Sequence, residues 1–151
     1  MARVDFYHLQ KTVLEDMLPK LLLKAYATCK HIKVKVGTEE RVEFLNSQLW
    51  TFSDTSFLPH GSKKDGFAEQ QPIWLAADAE NPNNADFLVL VDGAEEPSET
   101  IQNYERVFNV FDGNSQEALA QARRLWKEYK NAGFEVYYWQ QDENNVWMQK
   151  A

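Results

Sequence analysis

A run of basic and aromatic residues in the last third of the chain offers the clearest binding chemistry in the sequence. Arg123, Trp126, Lys127 and Lys130 follow one another at spacings of three, one and three residues. On a helix, this spacing places the three cations along one stripe with the indole beside them. Such a stripe can bind an acidic peptide, with the cations taking carboxylates and the indole an apolar side chain. The alternative is a solvated helix face whose cations favour the negative end of the helix dipole.

The sequence lacks the motifs on which common catalytic and cofactor sites depend. No Gly-x-x-x-x-Gly-Lys-Ser/Thr run is present, and Leu9-Gln10-Lys11-Thr12 follows the first predicted strand in place of a glycine-rich dinucleotide loop. There is no Gly-x-Ser-x-Gly elbow either. His8, His31 and His60 are isolated, and no two of them have the spacing of metal ligands on a helix. We therefore predict no catalytic residue, no cofactor and no metal site.

The charge balance argues against a protein that binds nucleic acid mainly through its phosphates. The 151 residues include 16 Lys and Arg against 23 Asp and Glu, a formal net charge of -7 at pH 7. Phosphate-binding domains usually carry the opposite bias. The single cysteine, Cys29, cannot form an internal disulfide, and no apolar run approaches the roughly 18 residues of a membrane-spanning helix. The sequence therefore predicts a soluble, cytoplasmic protein of one domain.

The basic helix belongs to an alternating series of predicted strands and helices. It is expected to begin after Ser115, its N-cap, and to stop at Gly133. Apolar runs predict strands at 4–9, 31–36, 72–76, 87–91, 106–111 and 134–140, with further helices at 12–30 and from Thr38 onward. The alternation of 31–36 predicts a half-exposed strand near a sheet edge, and the segments 50–52, 56–61 and 62–71 are predicted to form a long surface loop. The series predicts an α/β fold with a mostly parallel sheet covered on both faces.

A second group of apolar residues follows the second predicted helix. Trp50, Phe52, Phe57 and Leu58 are too apolar for an idle exposed loop. They either form the centre of a protein interface or fold back over one end of the sheet. The residues alone leave both possibilities open.

The order of these features resembles the chi subunit family of bacterial DNA polymerase III. The resemblance runs from about residue 3 to residue 150 and rests on segments that stand in the family's order: Val4-Asp5-Phe6-Tyr7-His8-Leu9, Leu49-Trp50-Thr51-Phe52, Ser56-Phe57-Leu58-Pro59-His60, residues 123–134 and Tyr138-Trp139-Gln140-Gln141. No single segment is specific, whereas their order and spacing together are. The resemblance implies a three-layer α/β/α domain, similar to nucleotide-binding folds but without a working phosphate loop, in a non-catalytic subunit.

The resemblance also implies a peptide ligand for the basic helix. Chi-family proteins link the acidic C-terminal tail of single-stranded-DNA-binding protein to the clamp loader through a small subunit called psi. Arg123 and Lys127 would pair with tail carboxylates, with Lys130 beside them. Trp126 and the Val110–Phe111 edge would line a pocket for the aromatic residue that ends the tail. Some family members have Tyr in place of Trp126.

The implied psi-binding surface is the apolar segment, with Trp50, Phe52, Phe57 and Leu58 as its contact residues. The sequence departs from the family pattern at Leu119, where some members have Lys. Two other functions stay open on the residues alone. One is a degenerate nucleotide-handling α/β enzyme, suggested by the fold, and the other is direct binding of single-stranded DNA through Trp and Lys/Arg side chains.

Overall fold

Short apolar strands alternate with amphipathic helices along the chain. The computed structural model describes residues 3–10, 12–28, 30–51, 59–144 and 146–150. The strands are β1 (Arg3–Leu9), β2 (Ile32–Val36), β3 (Gly61–Ser62), β4 (Ile73–Ala76), β5 (Phe87–Val91), β6 (Arg106–Asp112), β7 (Glu135–Gln141) and β8 (Trp147–Gln149). The helices are α1 (Leu14–Tyr26), α2 (Glu39–Thr51), α3 (Ser98–Ile101) and α4 (Gln116–Asn131), with one 3-10 turn at Ala68–Gln70. Cys29, Phe52, Phe57 and Leu58 lie outside the described residues.

These strands form a single sheet in the order β3-β4-β2-β5-β6-β1-β7-β8. Every neighbouring pair is parallel except β7 and β8, which are antiparallel. On one face, α1 and α2 pack Leu18 and Leu45 into the core. On the other face, α3 and α4 pack Ile101 and Leu125. The predicted three-layer α/β/α fold with a mostly parallel sheet is confirmed.

The local signals at the helix ends are also confirmed. The Ser115 hydroxyl accepts a hydrogen bond from the backbone N–H of Ala118 at 3.2 Å, which caps α4. Beyond its other end, Gly133 has φ = 95°, a left-handed conformation that favours glycine and stops the helix. Thr38 caps α2 in the same way, accepting from the N–H of Arg41 at 3.2 Å.

The structure corrects the prediction that 31–36 forms a half-exposed strand near an edge. β2 lies between β4 and β5, well inside the sheet. Lys33 is 1 % exposed, and its ammonium group donates to the backbone carbonyls of Asp78 and Glu80. Lys35 pairs with the buried carboxylate of Glu96 at 2.6 Å. The alternation was misleading because a long lysine stem can be buried while its charged end reaches polar partners.

The predicted surface loop over 50–71 is only partly a loop, since Trp50 and Thr51 belong to α2. Ser62 is fully buried and belongs to β3, the strand at one edge of the sheet. Its hydroxyl donates to Glu43 at 2.8 Å, its N–H donates to Asp65 at 3.0 Å, and the Asn46 amide donates to its hydroxyl at 3.3 Å. Polar side chains from α2 and the following turn therefore hold this two-residue strand. No apolar pattern in the sequence predicts this strand.

Candidate functional site

The basic face of α4 borders a pocket of about 330 Å³, which we call the α4 pocket. Helix α4 forms one wall, while one residue each of β6 and β7 supplies the other. The lining residues are Phe111, Leu119, Ala122, Arg123, Trp126, Lys127 and Tyr138. The α4 members recur at helical spacings of three and four, so they share one face of the helix. The strand members come from β6 and β7, which flank β1 in the sheet.

Three aromatic rings fix the apolar interior of the α4 pocket. The Trp126 and Tyr138 rings meet edge to face, with centroids 6.1 Å apart and planes at 79°. Phe111 lies 6.1 Å from Tyr138, and Phe6 supports Trp126 from the core at 5.7 Å. These offset arrangements are the favourable ones for aromatic pairs. Because Trp126 and Tyr138 are only partly buried, their rings present apolar surface to the pocket.

The position of Tyr138 depends on a buried histidine of β1. The Tyr138 hydroxyl forms a hydrogen bond with Nδ1 of His8, whose side chain is 8 % exposed. Burial lowers the pKa of His8, against a smaller opposing effect of the Asp112 charge. Burial raises the pKa of Tyr138, and the nearby charge of Arg123 opposes that rise. Both groups are therefore neutral at pH 7, so the strand side of the α4 pocket carries no charge, in contrast to the helix side with Arg123 and Lys127.

The cations of α4 divide into paired and unpaired side chains. Arg124 is engaged, at 2.6 Å from Glu95 and 3.8 Å from Glu128. Arg123 and Lys127 are exposed at the rim of the α4 pocket and form no ion pair with any residue that the structure describes. Two charges at an apolar pocket are thus available to an external anion.

The predicted stripe is largely brought together, with two differences. Lys130 does not line the α4 pocket, and its ammonium nitrogen lies 5.6 Å from the centroid of the Trp126 ring. Val110 is 3 % exposed and packs in the core on the α1 and α2 side, opposite Phe111. Consecutive residues of a strand face opposite sides of a sheet, so Val110 faces away from the α4 pocket that Phe111 lines. The prediction that Val110 lines the pocket together with Phe111 is therefore wrong.

Sequence reasoning did not assign Tyr138 to this site. Its ring reaches the α4 pocket because β7 is parallel to β1 and joins the sheet one strand beyond it, in the order β6-β1-β7. The alternation Tyr137, Tyr138, Trp139 identifies aromatic residues on both faces of a strand, but not which strands are its neighbours. The pairing order was the missing information.

Of the four apolar residues predicted to bind psi, Trp50 is the one that the structure describes. It lies near the end of α2, is 48 % exposed, and its ring centroid lies 4.2 Å from that of His60. An indole at this exposure is compatible with a protein interface. Phe52, Phe57 and Leu58 fall outside the described residues, so their predicted role stays a prediction.

The described parts of the chain contain no group of three or more His, Cys, Asp or Glu side chains that could hold a metal ion. They also contain no helix of the length and apolarity that spanning a membrane requires. The α4 pocket is therefore the arrangement that best matches the chemistry read from the sequence.

Comparison with known proteins gives the chain its family. The family described as DNA polymerase III chi subunit, HolC, matches residues 1–137. The "Probable DNA polymerase III subunit chi" of Rickettsia prowazekii (strain Madrid E) is 29% identical over 117 residues, which are 74% of this chain and 71% of that protein. The crystal structure of T4 UvsW resembles 92% of this chain with a TM-score of 0.62 at 10% identity, and the chain spans 41% of that protein, a likeness of fold alone. Since the family match takes in both β1 and the whole of α4, this chain belongs to the DNA polymerase III chi subunit family, whose members are accessory subunits in DNA replication.

Proposed function

We propose that this chain is a non-catalytic adaptor that links the acidic C-terminal tail of single-stranded-DNA-binding protein to the clamp loader through psi. One observation carries the proposal: the apolar α4 pocket is bordered by two cations, Arg123 and Lys127, that form no ion pair with the described residues. An acidic peptide ending in an aromatic residue has the complementary chemistry. Linking two weak contacts raises the local concentration of polymerase near coated single-stranded DNA.

The expected affinity follows from the small number of contacts. A hydrogen bond to a charged group contributes about 1.5–3 kcal/mol, and burial of one aromatic side chain contributes about 1.5–3 kcal/mol. Association costs about 4–15 kcal/mol. Two charged hydrogen bonds and one buried aromatic side chain together contribute about 4.5–9 kcal/mol, which is comparable to the cost of association. The tail should therefore bind weakly and reversibly, and less tightly as salt rises.

Calorimetric titration of the full chain with a short acidic peptide tests the tail site. The peptide ends in Phe with a free carboxylate, and two companions differ by a terminal Ala or a terminal amide. We expect saturable binding of the first peptide and clearly weaker binding of both companions, because the pocket takes the ring and the rim takes the carboxylate. Equal binding of all three peptides contradicts an end-specific pocket.

The cations of α4 offer a matched set of variants. Arg123→Ala and Lys127→Glu remove positive charges at the rim. Each should lower the affinity for the peptide by about tenfold or more, the equivalent of about 1.4 kcal/mol. Arg124→Ala is the control, since Arg124 adjoins Arg123 in sequence but is engaged with Glu95. It should change the affinity by less than about twofold. An unchanged affinity in both rim variants, or an equal loss in the control, places the tail elsewhere.

The psi contact is tested independently of the tail site. Trp50→Ala should abolish co-purification with a co-expressed psi subunit while it leaves the affinity for the acidic peptide unchanged. The two readouts separate because Trp50 lies near the end of α2 and the tail residues lie on α4, on opposite faces of the sheet. Retained co-purification contradicts a psi surface centred on Trp50.

A further inference from the structure

A second concavity, which we call the strand-end crevice, lies beyond the carboxyl ends of β1, β5 and β6 and holds about 760 Å³. Leu9, Leu90 and Asn109 are the strand residues at its base, and the beginning of α4 borders one side. Phe111 is its single residue in common with the α4 pocket. In parallel α/β sheets this edge is the place where ligands usually bind.

Asn109 is the polar group that distinguishes the strand-end crevice from an ordinary cleft. Asn109 is 5 % exposed, and in the sheet it pairs with Phe6 of β1 on one side and Leu90 of β5 on the other. Asn109 lines the crevice, and its side-chain amide forms no hydrogen bond with any part of the chain that the structure describes. Its amide atoms are not sealed from solvent, so their hydrogen bonds are made with water or with a ligand in the crevice. A group from outside the chain would satisfy it.

The guanidinium groups at the crevice are already engaged. Arg41 lies 2.6 Å from Asp92 and 2.9 Å from Glu15, and Arg124 lies 2.6 Å from Glu95. Neither is available as a free cation for an anionic ligand.

The remaining charge of the crevice is negative. Asp112 and Glu117 line it and form no ion pair within the described ranges. The beginning of α4, which could otherwise attract an anion, is capped by the Ser115 hydroxyl and carries Glu117 in its first turn. A phosphate would meet these two carboxylates with no free cation among the described lining residues, so this part of the crevice disfavours nucleotides.

We infer that the strand-end crevice binds an organic cation, a guanidinium or ammonium group on an apolar stem. The Asn109 carbonyl oxygen accepts from the cation, and Asp112 and Glu117 neutralise it. Leu14, Val110 and Phe111 line the same crevice and provide apolar surface for the stem. A free amine and an arginine or lysine side chain of another protein share this chemistry. The inference does not rest on the proposed function, because it uses a different site and a ligand of opposite charge.

The experiment titrates the full chain with two probes. One is agmatine, a free guanidinium on a butylamine stem, and the other is a neutral-ended tripeptide with one arginine between two alanines. Binding is followed by two-dimensional NMR of the labelled backbone, with ATP without metal as the anionic counter-probe. We expect saturable shifts at the ends of β1, β5 and β6 with at least one cationic probe and none with ATP. Tighter binding of the tripeptide identifies a protein side chain as the ligand, and tighter binding of agmatine identifies a free amine.

Two variants make the inference falsifiable. Asn109→Leu keeps the size of the side chain, lacks the amide and should lower the affinity for the cationic probe at least tenfold. A thermal melt of this variant reports whether the fold is kept. Glu117→Gln, at an exposed position, should lower the affinity about threefold and serves if Asn109→Leu does not fold. The acidic tail peptide should bind both variants like the wild type, so a failure at either site is recognisable. Absence of saturation with both probes, equal affinity in the variants, or saturable binding of ATP overturns the inference.

Discussion

The hydrogen bond between Tyr138 and His8 allows the stability of the α4 pocket to be separated from its binding chemistry. Replacing Tyr138 with Phe keeps the ring that lines the pocket and removes only the hydroxyl. His8 then loses its partner at Nδ1, and its Nε2 already has none among the described residues. The variant therefore leaves a buried imidazole with neither nitrogen hydrogen-bonded.

The magnitude follows from the burial of each partner. An unsatisfied buried polar group costs about 1–3 kcal/mol, and His8, at 8 % exposure, falls in this regime. In a chain of this length each kcal/mol lowers the melting temperature by about 2–4 °C. His8→Leu should cost less, because Tyr138 is only partly buried and its hydroxyl can reach water. Removing both partners leaves an apolar contact, so the double variant should be less destabilised than the two single effects combined.

The assay is a double-mutant cycle of urea unfolding at pH 7.5, with tail-peptide affinity measured on the same proteins. We expect Tyr138→Phe to lose stability while its affinity stays within about twofold of the wild type, since the apolar wall is intact. Tyr138→Ala is the control that removes the wall and should lose both. Additive effects of the two single substitutions, or a loss of affinity in Tyr138→Phe as large as in Tyr138→Ala, would refute this account.

Two further predictions concern buried ionisable groups. Because burial lowers the pKa of His8, the unfolded chain takes up a proton near pH 6.5 before the folded chain does. The free energy of unfolding should therefore fall as the pH is lowered from about 7.5 to about 5.5. His8→Leu should make this dependence on pH less steep, and an equal dependence in both proteins excludes His8 as its source. Asp5 is fully buried and accepts from Arg3 at 3.1 Å, Arg106 at 2.8 Å and the Trp139 indole at 3.0 Å. Asp5→Asn should lower the free energy of unfolding by about 1–3 kcal/mol. This is less than the cost of breaking a fully buried ion pair, because both arginines can rehydrate. A loss below about 0.5 kcal/mol in urea unfolding contradicts this prediction.

Local signals allowed much of the fold to be predicted from the sequence. The N-cap at Ser115 and the stop at Gly133 fixed both ends of α4, since capping depends on residues a few positions apart. The apolar run Phe87–Val91 predicted a strand, and each of its residues is buried, as is typical of a strand covered on both faces. The stripe Arg123, Trp126 and Lys127 was assigned for the same reason, because helical spacing alone brings it together.

The features that the sequence did not reveal depend on contacts between distant segments. Lys33 reads as a solvent-facing residue, and its burial depends on carbonyl groups of a loop more than forty positions away. Tyr138 joins the site only through the strand order β6-β1-β7, which no local pattern encodes. Which cations are free also depends on tertiary structure, since Glu95 engages Arg124 and leaves the neighbouring Arg123 unpaired with described residues.

That last contrast explains how an acidic protein can carry a site for an acidic peptide. At physiological salt, charges separated by more than about 8 Å are largely screened, so the net charge of -7 has little effect within the α4 pocket. A carboxylate about 4 Å from a guanidinium gains between about 1 and 4 kcal/mol, depending on how much water remains between them. Arg123 and Lys127 can supply this attraction because the surface carboxylates Glu95 and Glu128 lie near Arg124 instead. The placement of a few acidic side chains, rather than the overall charge, therefore determines where an anionic ligand can bind.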